Sequence, residues 1–382
     1  LGDVYKRQIL IRGKGTLGNT SPLIVVDGIA DRSFSRLNSE DVESISVLKD
    51  ASAAIYGARA ANGVILVTTK RGKEGKVKLN YSGNVSFSQP TRVPKMLNAY
   101  QYATYVNEFD AAQGNSLTYP ETALTKIKDG SDPINYPDTN WWNAVAKDWA
   151  TNTEHSLAIS GGNEKISFYS SAQYMYQDVI YKNSPQNYNQ YQFSTNLDAK
   201  ITKAIKFGFD ILGRQTVDNR GVRTTEDLFS YFLTTSPMSA PYYPNGLLRT
   251  GYDGITNNAV LMVSDLPGTS KTTNNTLNLK PKIRIDLDVI TPGLYAEGYA
   301  ALDYTFNNGK TTNTPYDIYS YDSVSGEYTN QRDATGSVSV SSWSSNSSSI
   351  TLNVRIGYSH LFNNAHQINA CLLYTSDAAD DK

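Results

Sequence analysis

From Val77 onward the chain alternates apolar and polar side chains with a period of two, which predicts strands with one oily and one wet face. Val77, Leu79, Tyr81, Val85 and Phe87 fall on one face, while Lys78, Asn80, Ser82, Asn84, Ser86 and Ser88 fall on the other. The dyad recurs in Ile166, Phe168, Ala172, Tyr174 and Tyr176, and again in Tyr191, Phe193, Leu197, Ala199 and Ile201. Ile205, Phe207, Phe209 and Ile211 follow, then Leu277, Leu279, Ile283, Ile285 and Leu287, and finally Ile350, Leu352, Val354, Ile356 and Tyr358. Weaker strands are expected near 155–160, 294–306 and 367–370.

The links between these strands alternate in length. Tight turns are expected around Gly161-Gly162-Asn163, Thr202-Lys203-Ala204, Thr291-Pro292-Gly293 and Asn363-Asn364, and long links over 89–152, 178–187, 215–272 and 307–347. Outer-membrane barrels pair short periplasmic turns with longer extracellular loops, and a strand of about 11 residues tilted near 45° spans roughly the 25 Å apolar band. The parity therefore predicts a barrel wall whose first strand starts at the periplasm. Within the first long link, Tyr102, Tyr105, Val106 and Phe109 stand at helical spacing, which predicts a helix over 98–109 packed on the loop.

The part before Gly72 reads differently, as a small α+β domain. Leu23 to Val26 is a short β-branched strand, and Asp27-Gly28 is a turn pair that tolerates positive φ. Asn38 or Ser39 can cap one helical turn opened by Glu40 and Asp41. Glu43 to Lys49 alternates Ile45 and Val47 with Ser44 and Ser46, a strand expected to face a core on one side. Asp50 or Ser52 caps an alanine-rich helix that Gly57 can end, and Asn62-Gly63 turns the chain into the buried run Val64 to Thr69.

Composition narrows the class. The 382 residues carry a formal net charge of −1 and only 19% charged residues, so no basic footprint for nucleic acid is visible. Tyr is abundant at 27, beside Phe 11 and Trp 4. Mean hydropathy is −0.43 and no apolar run approaches the roughly 18 residues of a membrane helix, so a membrane location would require a barrel. LGDVYKRQ at 1–8 and CLLYTSDAADDK at 371–382 resemble translations of a transposase adapter used in sequencing libraries and are set aside from fold reasoning. Cys371, the single cysteine, falls inside the second, which leaves no disulfide framework, no thiolate metal site and no thiol nucleophile.

Chemical motifs are few. Gly13-Lys14-Gly15-Thr16-Leu17-Gly18 satisfies G-x-G-x-x-G but leads into Thr20-Ser21-Pro22 and a strand, whereas a dinucleotide fingerprint must open a helix. His155, His360 and His366 show no ligand spacing, so neither a metal nor a cofactor is expected. Glu40, Asp41 and Glu43 are accounted for by cap and strand positions, and no Ser/His/Asp set appears, so an enzyme is not expected. Trp141, Trp142 and Trp149 in the first long link, and Tyr242 and Tyr243 in the third, are candidate substrate or partner contacts, because flat aromatic faces stack on sugars and dock peptides. Loop cores and interfacial girdles use the same residue types.

The run LNSEDVESISVLKDASAAIYGARAANGVILVTTKRG at 37–72, with PLIVVDG at 22–28 before it, resembles the end of the plug domain of a TonB-dependent outer-membrane transporter of the SusC/RagA-like branch. The resemblance extends through SLAISGGNEKISFYSSAQYMYQDVIY at 156–181 and STNLDAKITKAIKFGFDILGR at 194–214, which are similar to the first barrel strands of that family. It implies the C-terminal part of an α+β plug over 9–72, followed over 73–370 by the first part of an all-β transmembrane barrel. About nine of an expected 22 or so antiparallel strands would be present. The matched motifs make Arg12, Asp27, Gly28, Glu43, Arg59 and Gly63 plug-motif residues, with Arg12 and Glu43 as candidates for a lock between plug and barrel.

The resemblance also implies a location in the Gram-negative outer membrane, in contact with its lipid, and active import of an oligosaccharide or peptide. The partners it implies are a SusD-like surface lipoprotein and the TonB complex, the latter through a segment upstream of these residues. The alternative on the same scaffold is a surface receptor or adhesin without productive transport.

Overall fold

The computed structural model describes residues 11, 20–30, 32, 36–49, 51–93, 95–223, 228, 231, 234–251, 258–332, 335–362 and 366–379. Two sheets organise them. The smaller is built from β1 (Leu23–Val26), β2 (Ile29–Ala30), β3 (Val42–Leu48) and β4 (Val64–Thr69), in the order β2-β1-β4-β3. β4 lies at its centre, parallel to β1 and antiparallel to β3, as expected of a continuous β-branched run buried on both faces. On one face Leu23, Val25 and Val64 pack with Ala53 and Ala60 of the segment 51–60; on the other, Val26, Ile65 and Val67 pack with Ile11, Leu37 and Val42.

Local signals account for the connections. Asp27 (φ +50) and Gly28 (φ +82) make the tight turn from β1 to β2. The Asn38 side chain accepts from the Glu40 amide at 3.0 Å and caps a 3-10 turn, Ser39–Asp41. The alanine-rich segment Ala51–Ala60 is 3-10 in character and breaks at Gly57 (φ +66). One expectation fails here: the apolar row of β3 faces no core, and Ile45 stays 56% exposed. β3 is the edge strand, and only its end residues Val42 and Leu48 reach the apolar layers of the domain.

The larger sheet has nine strands in the order β15-β14-β11-β10-β9-β8-β7-β6-β5. They are β5 (Gly75–Ser88), β6 (Ala150–Gly162), β7 (Ile166–Asp178), β8 (Asn187–Lys200), β9 (Ile205–Gly221), β10 (Gly268–Asp286), β11 (Leu294–Asn313), β14 (Ser339–Phe362) and β15 (His366–Ala379). Every neighbouring pair is antiparallel. β5 and β15 are its two outer strands, so the sheet is an open wall. The expected tight turns around 161–163, 202–204 and 291–293 are present, the one at Asn363-Asn364 lies outside the described residues, and helices α1 (Ala99–Ala112), α2 (Glu121–Asp129) and α3 (Trp141–Val145) lie between β5 and β6. A short helix, α4 (Ala259–Val263), lies between β9 and β10, and a hairpin of β12 (Ile318–Tyr321) and β13 (Tyr328–Arg332) between β11 and β14.

Several features differ from the sequence reading. β9, β10, β11 and β14 run well past the apolar band, through stretches such as 269–272 and 341–347 that were expected to be loop. Ladder hydrogen bonds are main-chain bonds, and beyond the bilayer they need no apolar face. β15 likewise continues through Cys371 to Ala379, because the free edge of β14 can pair with any extended backbone. In α1, the helix forms behind an Asn98–Gln101 capping box, but its buried face is Ala99, Ala103 and Asn107, with Tyr105 and Phe109 exposed. The Asn107 side chain exchanges two hydrogen bonds with the Tyr119 backbone, at 2.7 and 2.9 Å, which turns that face inward.

The two faces of the wall follow the sequence dyad. Leu157, Ile159, Tyr191, Phe193, Leu277, Ile283, Ile350, Leu352 and Val354 point away from the small domain and are exposed. Ser156, Ser171, Gln173, Gln190, Gln192, Ser194 and Asn196 point toward it and are buried. Among the described residues no helix is long and apolar enough to cross a membrane, and the strands carry the apolar surface instead.

Candidate functional site: the interface between plug and wall

Gly72 ends the small domain and passes directly over the wall, where an added Cβ would fall 2.2 Å from the Phe168 amide nitrogen. Only glycine permits that approach. It places Arg71, the residue before it, against the inner face of β8 and β9, where the guanidinium forks onto Asp210 through two hydrogen bonds of 2.9 Å. Asp198 lies 3.5 Å from the same guanidinium. Lys282 on β10 reaches both carboxylates, at 2.8 Å for Asp198 and 3.6 Å for Asp210. Burial disfavours the Arg71 cation, but the hydrogen bonds and charge of Asp210, with Asp198 and Asp27 beyond, outweigh it and raise its pKa above the ordinary arginine value.

A second contact centres on the β1–β2 turn. Lys280, only 6% exposed, donates its ammonium to the Asp27 carbonyl and lies 4.4 Å from the centre of the Tyr299 ring. The Asp27 carboxylate is occupied within the small domain by the Thr69 amide at 2.9 Å and hydroxyl at 2.7 Å. Tyr299 donates to the Gly28 carbonyl at 3.3 Å. Nearby, Arg32 pairs with Asp303 of β11 at 2.6 Å. Between these contacts and the wall runs a polar cavity of about 400 Å³ lined by Asp27, Arg32, Asp210, Arg214, Thr276 and Asp303 among others.

The 39–41 turn makes the third contact. The fully buried Asn38 donates to the Ser156 hydroxyl at 2.8 Å, and Tyr169 donates to the Asp41 carboxylate at 2.9 Å. Desolvation raises the Asp41 carboxyl above its ordinary 3.8, against the opposing hydrogen bonds of Ser171 and Tyr169. Asn196 donates to the Lys70 carbonyl at 2.7 Å and Gln190 to the Arg36 carbonyl at 3.2 Å, while the Arg36 guanidinium lies over the Tyr188 ring at 4.8 Å.

The residues singled out from sequence fall as follows. Asp27 and Gly28 sit in the second contact. Glu43 pairs with the exposed Lys73 of the linker at 3.0 Å and lines a cavity shared with Lys78, Asn80 and Tyr169 of the wall. Gly63 turns into β4 with φ +92, and the Arg59 side chain is exposed. Arg12 lies outside the described residues. Of the aromatics, Trp141 is buried in the loop core with its indole donating to the Ser236 carbonyl at 3.1 Å, and Trp142 packs on that core. Tyr243 is buried against the rings of Tyr321 and Tyr328, whereas Trp149 (51%) and Tyr242 (44%) are exposed. The pairs through Arg71, Arg32 and Asp41 were not singled out; the available signal was that charges in mid-strand of a membrane wall must face inward and find partners.

A small α+β domain held on the polar inner face of a wall whose outer face is apolar is the architecture of a plugged outer-membrane β-barrel. Residues 2–64 match the TonB-dependent Receptor Plug Domain family. Over 211 residues the chain is 36% identical to TonB-dependent receptor P26 of Formosa agariphila, covering 53% of this chain and 20% of that protein. Over 202 residues it is 34% identical to TonB-dependent receptor SusC of Bacteroides thetaiotaomicron, covering 50% of this chain and 18% of that one. The solved structure of the RagAB peptide importer in its open-open state aligns with a TM-score of 0.76 at 22% identity, over 96% of this chain and 42% of that one. In these stretches the chain is similar to SusC/RagA-like TonB-dependent outer-membrane receptors. It spans about a fifth of the length of these curated relatives, and its wall strands belong in the outer membrane.

Proposed function

We propose that the chain supplies the C-terminal part of the plug, 9–72, and the first wall strands of an energised importer for oligosaccharides or peptides. The observation that carries this is the chemistry of the interface. The plug meets the wall through hydrogen bonds and ion pairs on a serine-, asparagine- and glutamine-rich face, and polar contacts of this kind exchange for water at a net cost of only about 1 kcal/mol each, or about 1.5 to 3 kcal/mol where a partner is charged. A permanent stopper would be expected to seal with apolar packing; this one is built to leave.

Two relatives frame the ligand class: the SusC receptor and, at the level of fold, a peptide importer. In this reading a SusD-like lipoprotein lids the loops, the TonB complex pulls the plug, and the chain performs no catalysis. The interface contacts centred on Arg71, Asp27 and Asp41 form the plug–wall lock, and exposed Trp149 and Tyr242 are the loop aromatics open to a ligand. The test is accumulation of labelled oligosaccharide or peptide in cells carrying the full-length receptor, before and after the proton gradient of the inner membrane is collapsed. Uptake should stop while surface binding persists. Uptake that continues excludes energised transport, and absence of uptake in energised cells that bind ligand favours a receptor or adhesin.

A further inference from the structure

Asp198, Gly208 and Lys282 lie side by side on three neighbouring strands, Gly208 being the cross-strand partner of both others. The Lys282 stem is laid over Gly208: a Cβ there would stand 1.8 Å from the Lys282 Cε and 2.9 Å from the Asp198 Oδ1. With no side chain in the way, the ammonium crosses β9 to reach Asp198 at 2.8 Å and the flank of Asp210 at 3.6 Å. These are the two carboxylates that Arg71 of the plug holds.

Around Arg71 the local charges balance on each side. On the wall, Asp198 and Asp210 lie beside Lys282 and Lys280; on the plug, Asp27 is the carboxylate nearest Arg71. An ion pair broken by withdrawing one partner ordinarily strands a half-buried charge. Here withdrawal of Arg71 leaves Asp210 and Asp198 with a cation already in contact.

We propose that Lys282, positioned by Gly208, is a resident counter-ion that takes over Asp198 and Asp210 when Arg71 departs, so that this part of the wall is not left with uncompensated carboxylates. The proposal rests on the reading that the plug is displaced, and it assigns Lys282 and Gly208 as positioning residues for that step. It also fixes a sign that a merely structural tie would reverse. If Lys282 only braced the wall, its loss would loosen the plug; as a counter-ion, its loss leaves Arg71 facing a wall with excess negative charge and makes the plug harder to withdraw.

The experiment is the lifetime of the docked plug under constant force, in single full-length receptors in a bilayer and pulled from the periplasmic side. Lys282→Met should lengthen the lifetime by about tenfold, Asp198→Asn should shorten it, and the two together should return it near the wild-type value. Gly208→Ala, which displaces the lysine stem without altering any charge, should also lengthen it and serves if Lys282→Met assembles poorly. A Lys282→Met or Gly208→Ala plug released as fast as wild type or faster, or a double variant still slow, overturns the counter-ion assignment alone. A wild-type plug that stays seated until the barrel itself unravels overturns this assignment together with the mobile-plug reading.

Discussion

Arg71 and Asp210 are joined by two parallel hydrogen bonds of 2.9 Å, one partner at the exit of the plug and the other 139 residues later in the middle of the wall. A planar fork on a carboxylate gives direction as well as charge, and lysine cannot reproduce it. Arg71→Ala should weaken plug docking by about 2 kcal/mol, below what a broken buried pair costs, because Arg71 keeps some solvent contact and Lys282 stays beside both carboxylates. Arg71→Lys should cost less, about 1 kcal/mol. Hydrogen exchange of plug amides in the full-length receptor reads both, and equal protection in all three proteins would remove Arg71 from the interface.

Asp41 gives the docked plug a pH dependence. Its carboxyl is raised above 3.8, chiefly by burial, so docking takes up a proton between that value and the raised one. The stabilisation from this group is therefore complete below 3.8 and is lost as pH rises through the raised value. Plug protection followed from pH 3.5 to 7 should fall more steeply in wild type than in Asp41→Asn, which cannot titrate. Parallel curves would show that Asp41 does not titrate differently on docking.

The membrane face makes an assembly prediction. Val85 shares the outward row of β5, whereas Ser86 pairs with Asn152 in the row that continues into buried Ser156. Val85→Arg should destabilise the assembled barrel by about 2 kcal/mol, within the range for arginine on a lipid-facing strand, and Ser86→Arg should be mild. Folding yield into lipid vesicles measures the difference, and equal yields would argue against a lipid-facing outer row.

Much of this architecture was legible because its physics is local. The dyad of β7 and β8 follows from the pleat, so the inward Ser171 and Gln192 and the outward Ala172 and Phe193 could be placed from spacing alone. The polar ends of β10 and β14 could not, since Lys271 to Asn275 and Ser341 to Ser348 have no apolar row to set a period. The interface was the least legible part. Arg71 finds Asp210, and Asp41 finds Tyr169, only after register and curvature bring distant strands beneath the plug. Trp141 and Trp149 show the same limit: eight positions apart in one link, one is buried under Ser236 and the other is exposed.

The claim that the plug must move for the ligand to pass is tested most directly at Asn38 and Ser156, whose side chains already touch at 2.8 Å across the interface. In the full-length receptor, Asn38→Cys with Ser156→Cys should form a bridge under oxidising conditions. The measurement is uptake of labelled oligosaccharide or peptide by cells, beside surface binding, before and after reduction. The account predicts that the bridged receptor binds but does not import, and that reduction restores import. Undiminished uptake with the bridge shown to be closed would contradict it.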